Sequence, residues 1–187
     1  MKTALLASYE KDENLLRLAK LLKTNNWSLL GSAGTAKYLN ENSIPCRDVA
    51  EIVGKPILGH RVVTLSRELY AALLSTPNDA GELASLSIEP IDLVYVTLYP
   101  LEKTIESGAS QEEVVEKTDI GGPTLLRAAA KGRRIALSSP AQIDEFEKRL
   151  KDGTADEKYL MSLAAAAERR VADYVTASAN YWEKRAK

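Results

Sequence analysis

The chain has 187 residues, of which 45% are apolar and 27% charged, and its 25 basic residues nearly balance its 26 acidic ones. This length fits one α/β domain with a sizeable core, and the net charge of -1 argues against a protein that coats nucleic acid. One Cys and one His exclude a disulfide framework, a structural zinc site and most His- or Cys-based catalysis, whereas an all-carboxylate Mg²⁺ site stays open.

The N-terminal segment and the apolar runs bear on location. Residues 1–7 are basic and briefly apolar, but polar and charged residues follow from Ser8 onward, too early for a secretory core. No run approaches the roughly 18 apolar residues that a spanning helix needs. We therefore expect a buried first strand and a cytoplasmic protein without a membrane partner.

Short apolar runs alternate with segments of helical periodicity along the chain. The pattern predicts strands at 3–7, 27–30, 44–49, 92–97 and 134–138. It predicts helices at 15–22, after the turn 31–35, from the capping box at Ser110, and at 124–131, 140–150 and 155–183. Residues 54–61 are expected to form a Gly/Pro loop.

This alternation predicts an α/β fold, with one parallel, doubly wound sheet flanked by helices and a long C-terminal helix, in a single domain over residues 1–187. Ligands of such sheets bind at the carboxyl ends of the strands. The loops after Ala7, Leu30, Thr97 and Ser138 are therefore the candidate binding loops.

Two glycine-containing turns lie at predicted helix starts. Residues 32–35 (SAGT) form either a phosphate-binding turn or a plain capped turn, since small residues let a ligand approach free N–H groups. At 119–123 (DIGGP), Gly121 and Gly122 place backbone donors where an oxyanion or carbonyl is held, while Asp119 is either a helix cap or part of that site. Lys131 meets an anion or favours the helix C-terminus.

Three further residues have both a functional and a structural interpretation. Tyr99 follows the most strongly predicted strand and precedes Pro100, so it is either a ligand-edge hydroxyl or a packed rim residue. His60 is expected to be a solvated loop residue, and Cys46 an inert buried thiol.

Three segments taken together are specific to one family. They are 31–36 (GSAGTA), 88–94 (IEPIDLV) running into 98–100 (LYP), and 119–131 (DIGGPTLLRAAAK). The chain resembles, from residue 4 to about residue 183, the inosine monophosphate (IMP) cyclohydrolase domain of the bifunctional family whose other half is an aminoimidazole carboxamide ribotide (AICAR) transformylase. The resemblance implies a methylglyoxal-synthase-like fold and a homodimer. A separate transformylase chain is a candidate partner.

The family reaction closes formyl-AICAR ribotide to IMP with loss of water, and it needs neither a metal nor a cofactor. The resemblance implies a small-molecule purine nucleotide as ligand and catalytic positions at Tyr99, Asp119 and Lys131. It implies substrate binding by Ser32, Gly34, Thr35, Arg61, Thr64, Gly121 and Gly122.

Two segments depart from the family pattern. Where members read GRVKTLHP, this chain has Val63 for the Lys and Ser66 for the His; where they read SVSDKTG, it has the acidic Glu10 and Asp12. Loss of one general acid or base commonly lowers a rate by about 10²–10⁴. A carboxylate that faces a phosphate also repels it, unless Lys11 or Lys55 offsets the charge.

Two functional hypotheses follow. The survival of Tyr99, Asp119 and Lys131 favours a stand-alone cyclohydrolase. Four departures from the family pattern favour a non-catalytic module that binds a purine nucleotide or phosphate metabolite: Val63, Ser66, Glu10 and Asp12. Methylglyoxal synthase itself is disfavoured, because its Asp-Pro-Leu and His-Asp segments are missing from the sequence.

Overall fold

A parallel five-stranded sheet forms the centre of the computed structural model, which describes residues 1–59 and 61–187. Its strand order is β3-β2-β1-β4-β5, so the first strand of the chain lies in the middle. The strands are β1 (Thr3–Ser8), β2 (Ser28–Gly31), β3 (Arg47–Asp48), β4 (Leu93–Thr97) and β5 (Ile135–Leu137). The predicted fold class is confirmed, and so is each predicted strand, although β3 is only two residues long.

Helices connect the strands and cover both faces of the sheet. They are α1 (Glu13–Thr24), α2 (Ala33–Glu41), α3 (Ala50–Val53), α4 (Arg67–Leu74), α5 (Ala80–Ser85), α6 (Leu101–Glu106), α7 (Gln111–Glu116), α8 (Gly121–Lys131), α9 (Ile143–Asp152) and α10 (Glu157–Arg185). Helices α3 to α6 were not predicted. Each has eight residues or fewer, which is too few turns to show a clear 3.6-residue period.

Alternation along β1 divides the core between the two faces of the sheet. Leu5 packs in the cluster under α4 and α8, whereas Leu6 packs in the cluster under α1 and α2. The 29-residue helix α10 joins both clusters, since Leu163 belongs to the second and Tyr174 to the first. Val175, on the same helix, is 53% exposed and belongs to neither cluster.

None of the helices in the described ranges has the length and hydropathy to cross a bilayer.

Candidate functional site

A cleft of about 550 Å³ opens at the carboxyl ends of β1, β2 and β4. The loop before α4 and the segment between α7 and α8 form two of its walls. Most of the predicted site residues line it: Ser32, Gly34, Arg61, Thr64, Tyr99, Asp119, Gly121 and Gly122. The cleft thus lies at three of the four predicted binding loops, and the loop after Ser138 does not line it.

Asp119 caps the start of α8. Its Oδ1 accepts a hydrogen bond of 2.8 Å from the backbone N–H of Gly122. Burial raises the pKa of the Asp119 carboxyl, and hydrogen bonds from the backbone N–H groups of Gly122, Tyr99 and Gly121 oppose that rise. Asp119 is therefore a helix cap, as one of the two sequence interpretations expected, and its partly desolvated carboxylate also lies on the cleft wall.

Tyr99 lies just beyond the end of β4 and is half-buried. Burial raises the pKa of its phenol, and the Asp119 and Glu116 carboxylates raise it further. Tyr99 therefore stays protonated at neutral pH, and its hydroxyl is available as a hydrogen-bond donor in the cleft.

Tyr174 of α10 holds the segment before α8 from beneath. Its hydroxyl accepts from the Asp119 backbone N–H at 2.7 Å and donates to the Lys117 carbonyl at 3.1 Å. The side chain is buried, and burial raises the pKa of Tyr174 to about 12, so the hydroxyl keeps its proton. The C-terminal helix therefore fixes the backbone that presents Asp119 to the cleft.

Tyr174→Phe is expected to destabilise the protein by about 1–3 kcal/mol, because it leaves a part-buried backbone N–H without its acceptor. Thermal unfolding measures this loss. Tyr181→Phe is the matched control on the same helix, since the Tyr181 hydroxyl is buried and has no hydrogen-bond partner among the described residues. Equal melting temperatures for the two variants would contradict the role assigned to Tyr174.

Lys11 brings a positive charge to the opposite part of the cleft. Its ammonium donates to the Ser8 carbonyl and, at 3.4 Å, to the Tyr9 carbonyl. Its Cε lies 3.8 Å from the position that a Cβ would take at Gly34, near the start of α2. The side chain as a whole is exposed, but burial of the ammonium lowers the pKa of Lys11.

The acidic substitutions in this loop do not point their carboxylates into the cleft. Asp12 is the N-cap of α1, where it accepts from the Leu15 backbone N–H at 3.0 Å. Glu10 is exposed and is not among the residues that line the cleft. Of the two lysines that the sequence suggests could offset these charges, Lys11 lines the cleft and Lys55 does not.

The predicted binding residue Thr35 is fully buried and does not line the cleft. Its hydroxyl accepts from the Ser8 backbone N–H at 3.1 Å and from Ser32 Oγ at 3.1 Å. The Ser8 hydroxyl in turn contacts Thr97 Oγ1 at 2.7 Å. These contacts tie the loop after β1 to α2 and β4, so Thr35 shapes the binding loop from below.

In the loop before α4, the other segment that differs from the family pattern, Val63 lines the cleft whereas Ser66 caps a helix. Val63 lines the cleft and is half-buried, so an apolar side chain stands where the family pattern has a lysine. Ser66 is the N-cap of α4 and accepts from the Leu69 backbone N–H at 3.1 Å. Arg61, in the same loop, lines the cleft while its Nε donates to the Leu58 carbonyl.

Lys131 is not in the cleft of its own chain. It is the last residue of α8 and does not line the cleft. Its position on the helix axis is about 15 Å from that of Gly121, which begins α8 at the cleft. The neighbouring arginines bind partners within the chain: Arg127 pairs with Glu168, Arg133 with Glu157, and Arg134 donates to the Leu73 carbonyl.

The two remaining candidates are outside the site. His60 lies outside the described residues. Cys46 is buried, and burial, with a smaller effect of the Asp48 carboxylate, raises the pKa of its thiol to about 12, as expected of an inert thiol.

Two residues near the site were not predicted. Trp182, near the end of α10, lines the cleft with a side chain that is 42% exposed. Lys117 places its ammonium over the rings of Tyr9 and Tyr99. The sequence carries no local signal for Trp182, because it reaches the cleft through the packing of α10, which is distant in sequence from the strand ends. Lys117 precedes Asp119 by two residues, but the sequence does not show that its side chain turns toward the two rings.

Comparison with known proteins identifies a domain family and several relatives of this chain. The model of the MGS-like domain family matches residues 14–124, more than half of the chain. The bifunctional purine biosynthesis protein PurH of Prochlorococcus marinus (strain MIT 9215) is 37% identical over 98% of this chain, and that of Natranaerobius thermophilus is 38% identical over 96%. The chain spans only 37% and 36% of the length of these two relatives.

A solved structure shares the fold over almost its whole length. The crystal structure of ForH superposes with a TM-score of 0.80 at 29% sequence identity, covering 97% of this chain and 98% of ForH. The predicted resemblance is thus confirmed at the level of the fold and of the relatives named PurH. The matched segment contains β2 and β4, which pair with β1, the loop before α4 that covers the cleft (the covering loop), and the Asp119–Gly122 turn. The chain belongs to the family of MGS-like domains.

Proposed function

We propose that the cleft closes formyl-AICAR ribotide to IMP with loss of water, as a cyclohydrolase step of purine biosynthesis. The observation that carries the proposal is the joint presence of Tyr99, Asp119 and the start of α8 on the wall of one cleft. The relatives named PurH are purine biosynthesis proteins, which supports a purine role for this chain.

The groups in the cleft suit the two halves of the reaction. The carboxamide nitrogen of the substrate attacks its formyl carbon, and a base must take a proton from that nitrogen. Asp119 is the candidate base, because a carboxylate whose pKa is raised by burial accepts a proton more readily at neutral pH. The protonated Tyr99 hydroxyl donates to the formyl oxygen as negative charge develops there. The attack itself forms the C–N bond that closes the ring, and the proton taken from the carboxamide nitrogen is delivered to this oxygen to give a carbinol. The carbinol hydroxyl then leaves while the adjacent former formamide nitrogen loses its proton, so that water and a C=N double bond are formed.

The substrate phosphate binds, in this proposal, at the loop after β1 and the start of α2. Ser32 and Gly34 lie at that helix start, where backbone N–H groups and the helix dipole favour an anion. Lys11 adds a positive charge beside Gly34. Arg61 and Thr64 close the cleft from the covering loop.

Lys11→Met is expected to weaken IMP binding by about 10- to 100-fold, because a charge-assisted hydrogen bond contributes about 1.5–3 kcal/mol. Binding of inosine, which has no phosphate, is expected to stay unchanged. Calorimetric titration with both ligands measures the difference, and Lys20→Met on the exposed surface of α1 is the control. Equal weakening for IMP and inosine would contradict the phosphate role.

Lys131 reaches a cleft only from a second copy of the chain, given its place at the far end of α8. Its predicted catalytic role therefore depends on the predicted homodimer. Ultracentrifugation decides the oligomeric state. Lys131→Met mixed with Asp119→Asn tests the sharing: if one copy completes the other's site, the mixture regains activity that neither variant has alone.

The direct test of the proposed reaction is to incubate the purified chain with formyl-AICAR ribotide and to follow the absorbance of IMP. We expect a rate well above that of buffer. Formation of IMP no faster than in buffer, under conditions where IMP itself binds, would overturn the enzymatic proposal.

Val63 favours a second candidate function, a non-catalytic purine-nucleotide binding module. An apolar side chain in the cleft at this position removes a positive charge but leaves the phosphate end of the cleft intact. A module of this kind binds IMP without turnover, and Val63→Lys then creates no activity. For the cyclohydrolase, Val63→Lys is expected to leave turnover in place or to raise it.

A further inference from the structure

Lys117 and two tyrosines form a compact cluster beside the cleft. The ring centroids of Tyr9 and Tyr99 are 5.0 Å apart, with their planes tilted by 55°. The Lys117 Nζ lies 5.5 Å from the Tyr9 centroid and 5.8 Å from the Tyr99 centroid. Both distances fall within the roughly 6 Å at which an ammonium is attracted to the face of an aromatic ring.

The backbone of Lys117 is held as firmly as that of Asp119. Its N–H donates to the Glu113 carbonyl at 3.0 Å, which ends α7, and its carbonyl accepts from the Tyr174 hydroxyl. The side chain is half-buried. The Lys117 ammonium therefore reaches the two rings from a backbone that is held by hydrogen bonds, two residues before Asp119.

The Lys117 ammonium lies near a phenol that also has negatively charged neighbours. Asp119 and Glu116 place negative charge near the phenol, and the Tyr9 ring centroid lies 5.0 Å from that of Tyr99. Val63 contributes no charge to the same cleft, and the Lys11 ammonium is bound to carbonyls of its own loop. Among the residues that the structure describes, Lys117 places an ammonium over the Tyr99 ring, 5.8 Å from its centroid.

We propose that Lys117 is a positioning residue for Tyr99: its ammonium holds the Tyr9–Tyr99 pair in place and supplies positive charge beside the hydroxyl that faces the formyl oxygen. This inference rests on the proposed cyclisation for its catalytic consequence. The contact itself, between the ammonium and the two rings, is independent of the reaction.

Lys117→Met keeps the length of the side chain and removes its charge. We expect kcat to fall about 5- to 30-fold with KM nearly unchanged, the effect that a cation over an aromatic ring exerts when partly desolvated. Lys117→Arg keeps the cation, and its activity is expected within about 3-fold of the original chain. In a Tyr99→Phe background, Lys117→Met is expected to have no further effect, because the hydroxyl through which it acts is gone.

Lys2→Met is the matched control. Its ammonium lies 5.4 Å from the centroid of the buried Trp27 ring, so this variant removes a cation–ring contact of similar length outside the cleft. We expect its kcat to be unchanged. A full loss of kcat for Lys117→Met in the Tyr99→Phe background as well would overturn the inference.

A readout that needs no turnover separates this inference from the proposed reaction. In protein with ¹³C-labelled tyrosine, the ring signals of Tyr99, assigned with Tyr99→Phe, are expected to move in Lys117→Met and to return in Lys117→Arg. If the original chain makes no IMP, the proposed reaction is wrong. The shifts of the Tyr99 ring signals then still show whether Lys117 positions Tyr99. Tyr99 signals that stay in place in Lys117→Met overturn it.

Discussion

Asp119→Asn is expected to lower kcat by about 10²–10⁴, the usual contribution of one general base, which corresponds to about 3–5 kcal/mol of activation free energy. The amide cannot take the proton from the carboxamide nitrogen. Its oxygen still accepts from the Gly122 N–H, so the start of α8 and the affinity for IMP are expected to persist.

The Asp119→Asn variant is expected to be at least as stable as the original chain, although its kcat falls. Because burial holds the pKa of Asp119 above its unfolded value, the ionised carboxylate costs folding free energy at neutral pH, and this cost disappears as the pH falls below both values. Asparagine carries no charge, so the melting temperature at pH 7 is expected to be unchanged or higher. Asp144→Asn, at an exposed ion pair with Arg17, is the control and leaves kcat unchanged. Full kcat in the Asp119→Asn variant would contradict Asp119 as the base, and a lower melting temperature at pH 7 would contradict the stability argument.

Gly122→Ala is expected to reduce kcat by about 10² or more, because no Cβ fits at this position. A Cβ there would lie 2.4 Å from Asp119 Oδ2 and 2.7 Å from Leu98 Cδ2, and Gly122 itself is buried. The carboxylate must move away and lose its hydrogen bond from the Gly122 N–H. We also expect a loss of about 1–3 kcal/mol in the free energy of unfolding, as for other overpacked sites.

Gly81→Ala is the matched control for this substitution. Gly81 lies in α5, and the position that a Cβ would take there has open space within 4 Å, so alanine is expected to be neutral or to add about 0.5–1 kcal/mol of stability. Kinetic assays and thermal unfolding of both variants measure the comparison. Similar kcat values for the two alanine variants would show that Gly122 is not required for the geometry of Asp119.

The fold was predictable where buried strands and long amphipathic helices leave a clear pattern. The strand at Leu93–Thr97 is buried at every position, and the 29 residues of α10 repeat their apolar positions over about eight turns. Helices α4 and α5 were missed because short helices are stabilised by what they pack against rather than by their own periodicity. The position of α4 depends on contacts with α8, which is distant in sequence.

The candidate site was predictable only in part, and for a physical reason. Tyr99 and Asp119 follow strands or begin helices, so local pattern and family resemblance place them at the ligand edge. The presence of the Lys11 side chain in the cleft was not predictable, because it depends on which way a loop side chain turns. Asp12 turns back to cap α1 and Lys11 turns into the cleft, an outcome that the one-letter sequence does not distinguish from the reverse.

The central claim is that one cleft holds the phosphate at Lys11 and the reacting ring at Asp119. A crystal structure of the chain with bound IMP tests it most directly. We predict the phosphate at the start of α2, in contact with the Lys11 ammonium and the backbone of Gly34, and the purine ring beside Tyr99 and Asp119. A phosphate bound elsewhere, or a purine ring out of reach of Asp119, would contradict it.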